Sequence, residues 1–598
     1  MAPIPVHIKH AGKTYDVQLD PDLPPAVFKD AIYHATGVPP DRMKVMVKGG
    51  VLKDDSSWKK IGPKEGQTFT VIGAAGELPK APEKPIVFLE DMDDSELAEA
   101  LAKPVGLVNL GNTCYMNATV QALRAVPELQ IALATAPALQ STTPLPGALR
   151  DLYINMSRTT DSITPAQFLG VLRQENPQFA EMDRRESKAG DFMMGRRVYA
   201  QQDAEECYTA IINSLRNVPG LDATGKTVAT GAEAVAGRPK FIQQFMMGEV
   251  RRELTCDEAP DEPPSVSTDQ VLKIDCNITI NTNFMISGIM NSLDTKLEKN
   301  SSSLGRQAVY SQKSRMSRLP TYLTVHMVRF YWREDIQKKA KIMRKVKFPL
   351  EFDALDIATD ELKNKLLPAS RKLKEIEKER AERRKVRKRT KTTGAAGPSP
   401  GSAPAATNGG DVEMADGSNN AAAAASTTTE GAPAAQEATV TSAPEFEDEP
   451  SYRKKEAAEL AELISEDVKK DIGCSTTGLY ELVAIVTHKG AAADAGHYMG
   501  FVKKSVFHAY KNKNKEPNAP SDPAARIENV ISGLQPPATL QGISDMSTAE
   551  IDEVEGDEDW YKFDDDKVSV FPKEKLPTLE GGGEDSSAYV LLYRSKSV

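Results

Sequence analysis

The chain has 598 residues, of which 40% are hydrophobic and 27% charged, with a net charge of −10; this is too long for a single hydrophobic core, so more than one domain is expected. No apolar run reaches about 18 residues, which excludes a helical membrane span, and the acidic balance speaks against general nucleic-acid binding. The five cysteines, Cys114, Cys207, Cys256, Cys276 and Cys474, form no CxxC pair, so neither a disulfide framework nor a metal site is expected, and the opening MAPIPVHIKH lacks a secretory pattern, which points to cytoplasmic and nuclear residence.

The first elements form a small domain over residues 1–76. Ile4, Val6 and Ile8 alternate with polar neighbours, Gly12 and Lys13 supply a turn, and Tyr15, Val17 and Leu19 alternate again, as in a hairpin. In PPAVFKDAIYHATG, Phe28 and Ile32 share a helical face, Pro25 opens the helix and Gly37 is placed to end it. Strands follow in MKVMVKG and TFTVIG. A hairpin, one helix and two further strands give a β-grasp order, a mixed sheet over one helix.

Residues 77–104 are rich in Pro, Lys and acids and read as a linker with one short helical candidate, DDSELAEAL. A second domain is expected over 105–598, with surface inserts at about 363–450 and 505–559. The first insert opens with a charged helix candidate in which Glu379 and Arg383 have supportive i,i+4 spacing. Its basic run at 383–391 reads as a nuclear signal, a patch for an acidic partner, or a plain solvated helix face. The Gly-, Ala-, Ser- and Thr-rich tract after it cannot bury enough apolar surface to order.

The sharpest chemical signal is GLVNLGNTCYMNATVQALRAVPEL, beginning at Gly106. A turn rich in Gly and Asn leads to Cys114, after which Met116, Val120 and Leu123 recur at helical spacing, so Cys114 is expected at a helix N-terminus, where free N–H groups and the macrodipole favour negative charge. A lone cysteine is more often a small buried hydrophobe. The polar, glycine-bearing approach changes that balance, and Asn109 lies close enough for its amide to donate to an oxyanion.

A thiol nucleophile needs a base. His7, His10 and His34 belong to the first domain, leaving His326, His488, His497 and His508. His497 stands out in DAGHYMGFVKK: Gly496 precedes it, allowing an extended substrate to come close, and a strand-like run follows. His326, in the apolar strand YLTVHMVRF, reads as a satisfied core histidine. An orienting carboxylate is offered by Asp564, Asp565 and Asp566 at the end of an aromatic strand, and spacing alone does not choose among them.

Together these segments resemble the ubiquitin-specific protease family, peptidase C19. Its cysteine box is similar to GLVNLGNTCYMN, its glutamine-aspartate box to YAQQDAEEC, its histidine box to YELVAIVTHKGAAADAGHYMGFV and its acidic box to WYKFDDDKVSVF, all in the family's order. RMKVMVKGGVLKDD in the first domain looks like the strand-turn-strand of ubiquitin, although Gly73 is followed by Ala74, Ala75 and Gly76 rather than closing on Gly-Gly.

The resemblance implies an α+β chain, a β-grasp ubiquitin-like domain followed by a papain-like fingers, palm and thumb protease domain. Cys114 then becomes the nucleophile, His497 the base, Asp564 the orienting residue, Asp565 a supporting residue and Asn109 the oxyanion donor. Gln201, Gln202, Asp203, Gly496 and Tyr498 would line the path of ubiquitin's extended tail. The absence of the zinc-binding CxxC pairs, with the ubiquitin-like domain first, resembles the proteasome-associated subfamily. That likeness implies docking to the regulatory particle of the 26S proteasome, ubiquitin conjugates as substrates, no cofactor, and movable blocking segments at 330–345 and 489–496. The competing reading is a non-catalytic sensor of ubiquitin occupancy, against which stand the competent residue types at each catalytic position.

Overall fold

The structure is a computed structural model, and it describes residues 3–48, 50–54, 56–73, 104–134, 144–182, 199–222, 240–334, 338–394, 448–492, 495–507 and 547–597. The chain divides into two compact units, Met1–Met92 and Asp93–Val598. The expected linker lies outside the described residues, save Pro104. So does most of the low-complexity tract.

In the first unit, β1 (Ile4–His10) and β2 (Lys13–Leu19) form the expected hairpin, and β3 (Lys44–Val47), β4 (Gly50–Val51) and β5 (Thr68–Ile72) complete a sheet of order β2-β1-β5-β3-β4. β5 pairs parallel to β1 and the other pairs are antiparallel, which is the mixed β-grasp arrangement. The helix Pro25–Thr36 starts at a proline and ends where the N–H of left-handed Gly37 donates to the Tyr33 carbonyl. Its inward side chains, Phe28 and Ile32, pack with Val6, Ile8, Val45 and Phe69, and Trp58 meets Phe28 edge-on at 5.5 Å.

The second unit is also α+β. β6 (Gly248–Cys256), β7 (Ser265–Val271), β9 (Asp294–Asn300) and β10 (Gln307–Arg318) form a four-stranded sheet of order β7-β6-β10-β9. A second sheet carries β18-β17-β16-β15-β19-β11-β8, from β8 (Ile274–Asn277), β11 (Tyr322–Val328), β15 (Leu479–Ala492), β16 (Ala495–Lys503), β17 (Trp560–Asp564), β18 (Lys567–Phe571) and β19 (Ser587–Ser595). β12 (Phe330–Arg333) and β13 (Lys338–Lys341) form a hairpin at its margin, and β14 (Glu351–Asp353) pairs with β15. The helix Cys114–Leu123 is buried along its whole length and rests on β16. It comes that close because Gly500 faces it: a Cβ there would lie 3.3 Å from the Ala118 carbonyl oxygen. Among the described residues no helix is long and apolar enough to cross a membrane.

The described ends of the inserts are packed helices. The helix Asp360–Gly394 buries Leu366, Ala369, Leu373 and Ile376. Beside it lie the helices Glu449–Leu463 and Thr548–Gly556, the latter from the second insert. Charge joins all three. Glu449, with 1% of its side chain exposed, pairs with Arg383, Arg387 and Arg453, while Arg387 also reaches Asp552 and Arg453 reaches Glu555. Arginines of the supposed solvated basic run thus hold the domain's own helices together.

Removing Glu449 leaves three guanidinium groups facing one another. Glu449→Ala is expected to lower the unfolding free energy of the second unit by about 3 kcal/mol, read by chemical denaturation; a loss of a few tenths would show that the cluster contributes nothing net.

Candidate active site

The approach to Cys114 is shaped by one side chain. Asn109 Oδ1 accepts from the backbone N–H of Gly111 at 2.9 Å and of Thr113 at 3.2 Å, which folds the loop back on itself. Gly111 and Asn112 adopt left-handed conformations, φ 96° and 55°, and the Asn112 amide donates to the Tyr199 carbonyl at 2.9 Å. The helix then begins at Cys114, as expected, with the residue 3% exposed.

The base arrives on the sheet. His497 stands near the start of β16, and β17 is the next strand, with Gly500 opposite Phe563, so the end of β17 brings Asp564 beside the imidazole. His497 Nε2 and Asp564 Oδ1 are 2.6 Å apart, which leaves Nδ1 for the sulfur. Lys562 donates to the other oxygen of Asp564 at 3.1 Å. Hydrogen bonding to Cys114, and secondarily to Asp564, raises the imidazole pKa to about 9 against the opposing effect of burial. Burial pushes Asp564 up, but hydrogen bonds from His497 and Lys562 outweigh it and hold the carboxyl below its usual range.

Asp565 follows in a left-handed turn, φ 52°, and ties the two halves of the site together. Its carboxylate accepts from the Asn109 amide at 2.9 Å and from the Asn117 amide at 2.9 Å, and its carbonyl accepts from the Leu107 N–H at 3.0 Å. At Gly106 the two segments touch: a Cβ would lie 2.3 Å from the Asp566 carbonyl oxygen. Asn109, expected as an oxyanion donor, therefore spends its amide on Asp565 in this conformation. Sequence reasoning overlooked Asn117, although a polar residue one turn beyond Cys114, on a helix with no exposed face, was a usable signal. His497, Asp564 and Asp565 present donor atoms within 4.8 Å of one another, enough for a cation in principle. In this structure Asp564 is engaged by His497 and Lys562, and Asp565 by Asn109 and Asn117.

The remaining expected residues fall nearby with different engagements. Asp203 caps the helix Ala204–Ser214 by accepting from the Glu205 N–H at 2.7 Å, and its other oxygen accepts from the Tyr589 hydroxyl at 2.6 Å. Gln201 and Gln202 are half-buried beside it. Tyr498 is 1% exposed and packs against the rings of His488 and Tyr589, so it lies beneath the surface rather than lining an open cleft. Gly496 sits over His488, and a Cβ would approach its Nε2 to 2.5 Å. His488 is fully buried and, through burial first and the charge of Lys341 second, is held neutral with a pKa of about 3. His326 bonds Asp275 through Nδ1 at 2.9 Å, but its Nε2 is buried with no hydrogen-bond partner among the described residues, so the expected satisfied histidine is satisfied on one side alone, and His508 lies outside the described residues.

The two segments expected as flexible lids are partly strand. β12 and β13 pair with one another, Ala340 pairs with Ala492 of β15, and Lys341 donates to the His488 carbonyl at 2.8 Å. The positions 335–337 and 493–494 lie outside the described residues. The hairpin is thus strapped to the strand that leads toward His497.

Residues 105–593 match the family described as Ubiquitin carboxyl-terminal hydrolase, and residues 6–75 match the Ubiquitin family. The chain is 36% identical over 596 residues to "Ubiquitin carboxyl-terminal hydrolase 6" of Schizosaccharomyces pombe, covering 100% of this chain and 99% of that one. It is 33% identical over 602 residues to "Ubiquitin carboxyl-terminal hydrolase 6" of Arabidopsis thaliana, covering 99% of each. Among solved structures, the SAGA DUB module bound to ubiquitin aldehyde aligns over 83% of this chain and 70% of its own at 14% identity, with a TM-score of 0.41.

Because the Asp566 backbone leaves no room for a methyl group, Gly106→Ala is expected to destabilise the second unit by about 2 kcal/mol. Gly170→Ala, in the helix Ala166–Glu175 with open space around it, is expected not to destabilise. Denaturation of the two variants side by side checks this.

Proposed function

The chain belongs to the ubiquitin carboxyl-terminal hydrolase family and is a cysteine-type deubiquitinase, and from that premise we propose how its residues divide the reaction. Cys114 thiolate attacks the carbonyl of ubiquitin's terminal glycine. His497 carries the proton to the departing amine and later takes one from the water that resolves the thioester, with Asp564 holding the ring through Nε2. The oxyanion is met by backbone N–H groups at the start of the Cys114 helix and by the Asn109 amide once it leaves Asp565. The ubiquitin tail passes Gln201, Gln202, Asp203 and Gly496, above Tyr498. The observation that carries this reading is the 2.6 Å bond between His497 and Asp564, which leaves the other ring nitrogen for the sulfur.

The proposal extends to regulation. The ubiquitin-like domain docks on the regulatory particle of the 26S proteasome, and conjugates held there are the substrates. Two features support low turnover before docking: Cys114 is 3% exposed, and Lys341 straps the β12–β13 hairpin beside the histidine strand. Residence in cytoplasm and nucleus fits such a partner. Nuclear entry through the basic run loses support, because Arg383 and Arg387 are engaged with Glu449 and Asp552.

Hydrolysis of a ubiquitin C-terminal fluorogenic amide, with and without purified proteasome, tests both parts. Turnover is expected to rise with proteasome; equal rates sink the regulatory part. Cys114→Ala is expected to abolish hydrolysis and labelling by a ubiquitin C-terminal electrophile, and surviving activity refutes the assignment.

The pH profile follows from the raised histidine. Its folded pKa lies above the ordinary 6.5, so the favourable imidazolium is complete below 6.5 and is lost as pH rises through about 9. The rate is therefore expected to decline above about pH 9. Asp564→Asn removes one of the raising influences and should shift that decline to lower pH, checked from kcat/KM across pH 6 to 10.

A further inference from the structure

Asn117 and Gln121 stand one turn apart on the buried cysteine helix, 2% and 1% exposed. Both reach the segment that enters the domain ahead of Cys114. Asn117 donates from its amide to the Leu107 carbonyl at 3.1 Å, and Gln121 donates to the Val105 carbonyl at 2.8 Å. The groups they face only accept, so each presents its NH2. Each also leaves its amide oxygen buried with no hydrogen-bond partner among the described residues. As ties between helix and entering segment, the two amides are alike.

Asn117 does one thing more. Its amide also donates to Asp565 Oδ1 at 2.9 Å, while Asp565 Oδ2 accepts from the Asn109 amide at 2.9 Å. The two bonds differ in their setting, because Asn117 is buried and Asn109 is exposed. Water replaces an exposed donor at little cost, whereas a buried donor has no substitute. The Asp565 backbone is fixed as well, its carbonyl accepting from the Leu107 N–H at 3.0 Å. The carboxylate therefore has one held end and one releasable end.

We propose that Asn117 is a positioning residue for the reaction: by occupying Oδ1 it fixes the Asp565 carboxylate, so that Asn109 is held by a single exchangeable bond and is free to turn to the oxyanion. The inference rests on the reading of Asn109 as oxyanion donor. Without Asn117 the carboxylate rotates, and Asn109 follows it instead of the oxyanion. Because Asn109 meets the oxyanion only as that charge develops, the effect falls on kcat rather than KM.

The test uses the full chain and ubiquitin fluorogenic amide, with Gln121→Ala as the matched variant, since it removes the same kind of buried bond without touching Asp565. Asn117→Ala is expected to lower kcat about thirtyfold with KM within about twofold, while Gln121→Ala keeps kcat within about twofold of wild type. Asn117→Ser, which keeps one donor, is expected to lie between wild type and Asn117→Ala, and it serves the same comparisons should the alanine variant not fold. Asn109→Ala is expected to lower kcat about a hundredfold, and adding Asn117→Ala to it to cost less than about twofold more, because both act through one donor. The alkaline decline of the rate stays in place in Asn117→Ala, since Asp564 still holds the ring. Equal losses of kcat in Asn117→Ala and Gln121→Ala overturn the proposal by showing a structural role, as do multiplicative losses in the double variant or a shifted alkaline decline. If Asn109→Ala is slow and Asn117→Ala is as fast as wild type, the positioning role alone falls. If Asn109→Ala is as fast as wild type, the oxyanion reading falls and takes the proposal with it.

Discussion

The carboxylate of Asp565 joins two stretches of chain 456 positions apart, and the geometry of the site depends on that junction. One oxygen holds the loop that precedes Cys114 through Asn109, and the other holds the helix that follows through Asn117. Asp564, one residue earlier, holds the histidine. Adjacent acids on one turn thus set nucleophile and base in a common frame. The left-handed turn at Asp565, φ 52°, makes this possible by breaking from the strand immediately after Asp564.

That frame is supported by the absence of side chains as much as by their presence. Gly106 lets the cysteine loop lie on the Asp566 backbone, and Gly500 lets the cysteine helix lie on the histidine strand. The imidazole and the sulfur meet because two backbones are allowed to approach more closely than a β-carbon permits.

The elements that could be read in advance were those with local periodicity. The first hairpin, the helix that buries Phe28 and Ile32, and the cysteine helix each declare themselves within a dozen residues, because burial of one face imposes its period on the sequence. Partnerships across long separations were not legible. Nothing in the run around Arg383 announces Glu449 or Asp552 as partners, and the same arginines on a solvated helix would have an identical local sequence. Nor does spacing say that Asn109 faces Asp565, or that Asp203 meets the Tyr589 hydroxyl. Of the segments expected as lids, 489–496 carries small residues, yet strand pairing between Ala340 and Ala492 is a backbone contact to which side-chain character is a poor guide.

The arginine and glutamate cluster has a consequence for how this chain can change. Arg383 on the outgoing helix pairs with Glu449 on the returning one, so the stretch between them begins and ends at a clamped base. Lengthening a chain segment whose ends are fixed is cheap, about 0.6 kcal/mol per doubling. New sequence can accumulate there, or be trimmed, while the catalytic sheet remains unaffected. The chain thus holds a socket for variation, anchored by charge at both of its ends.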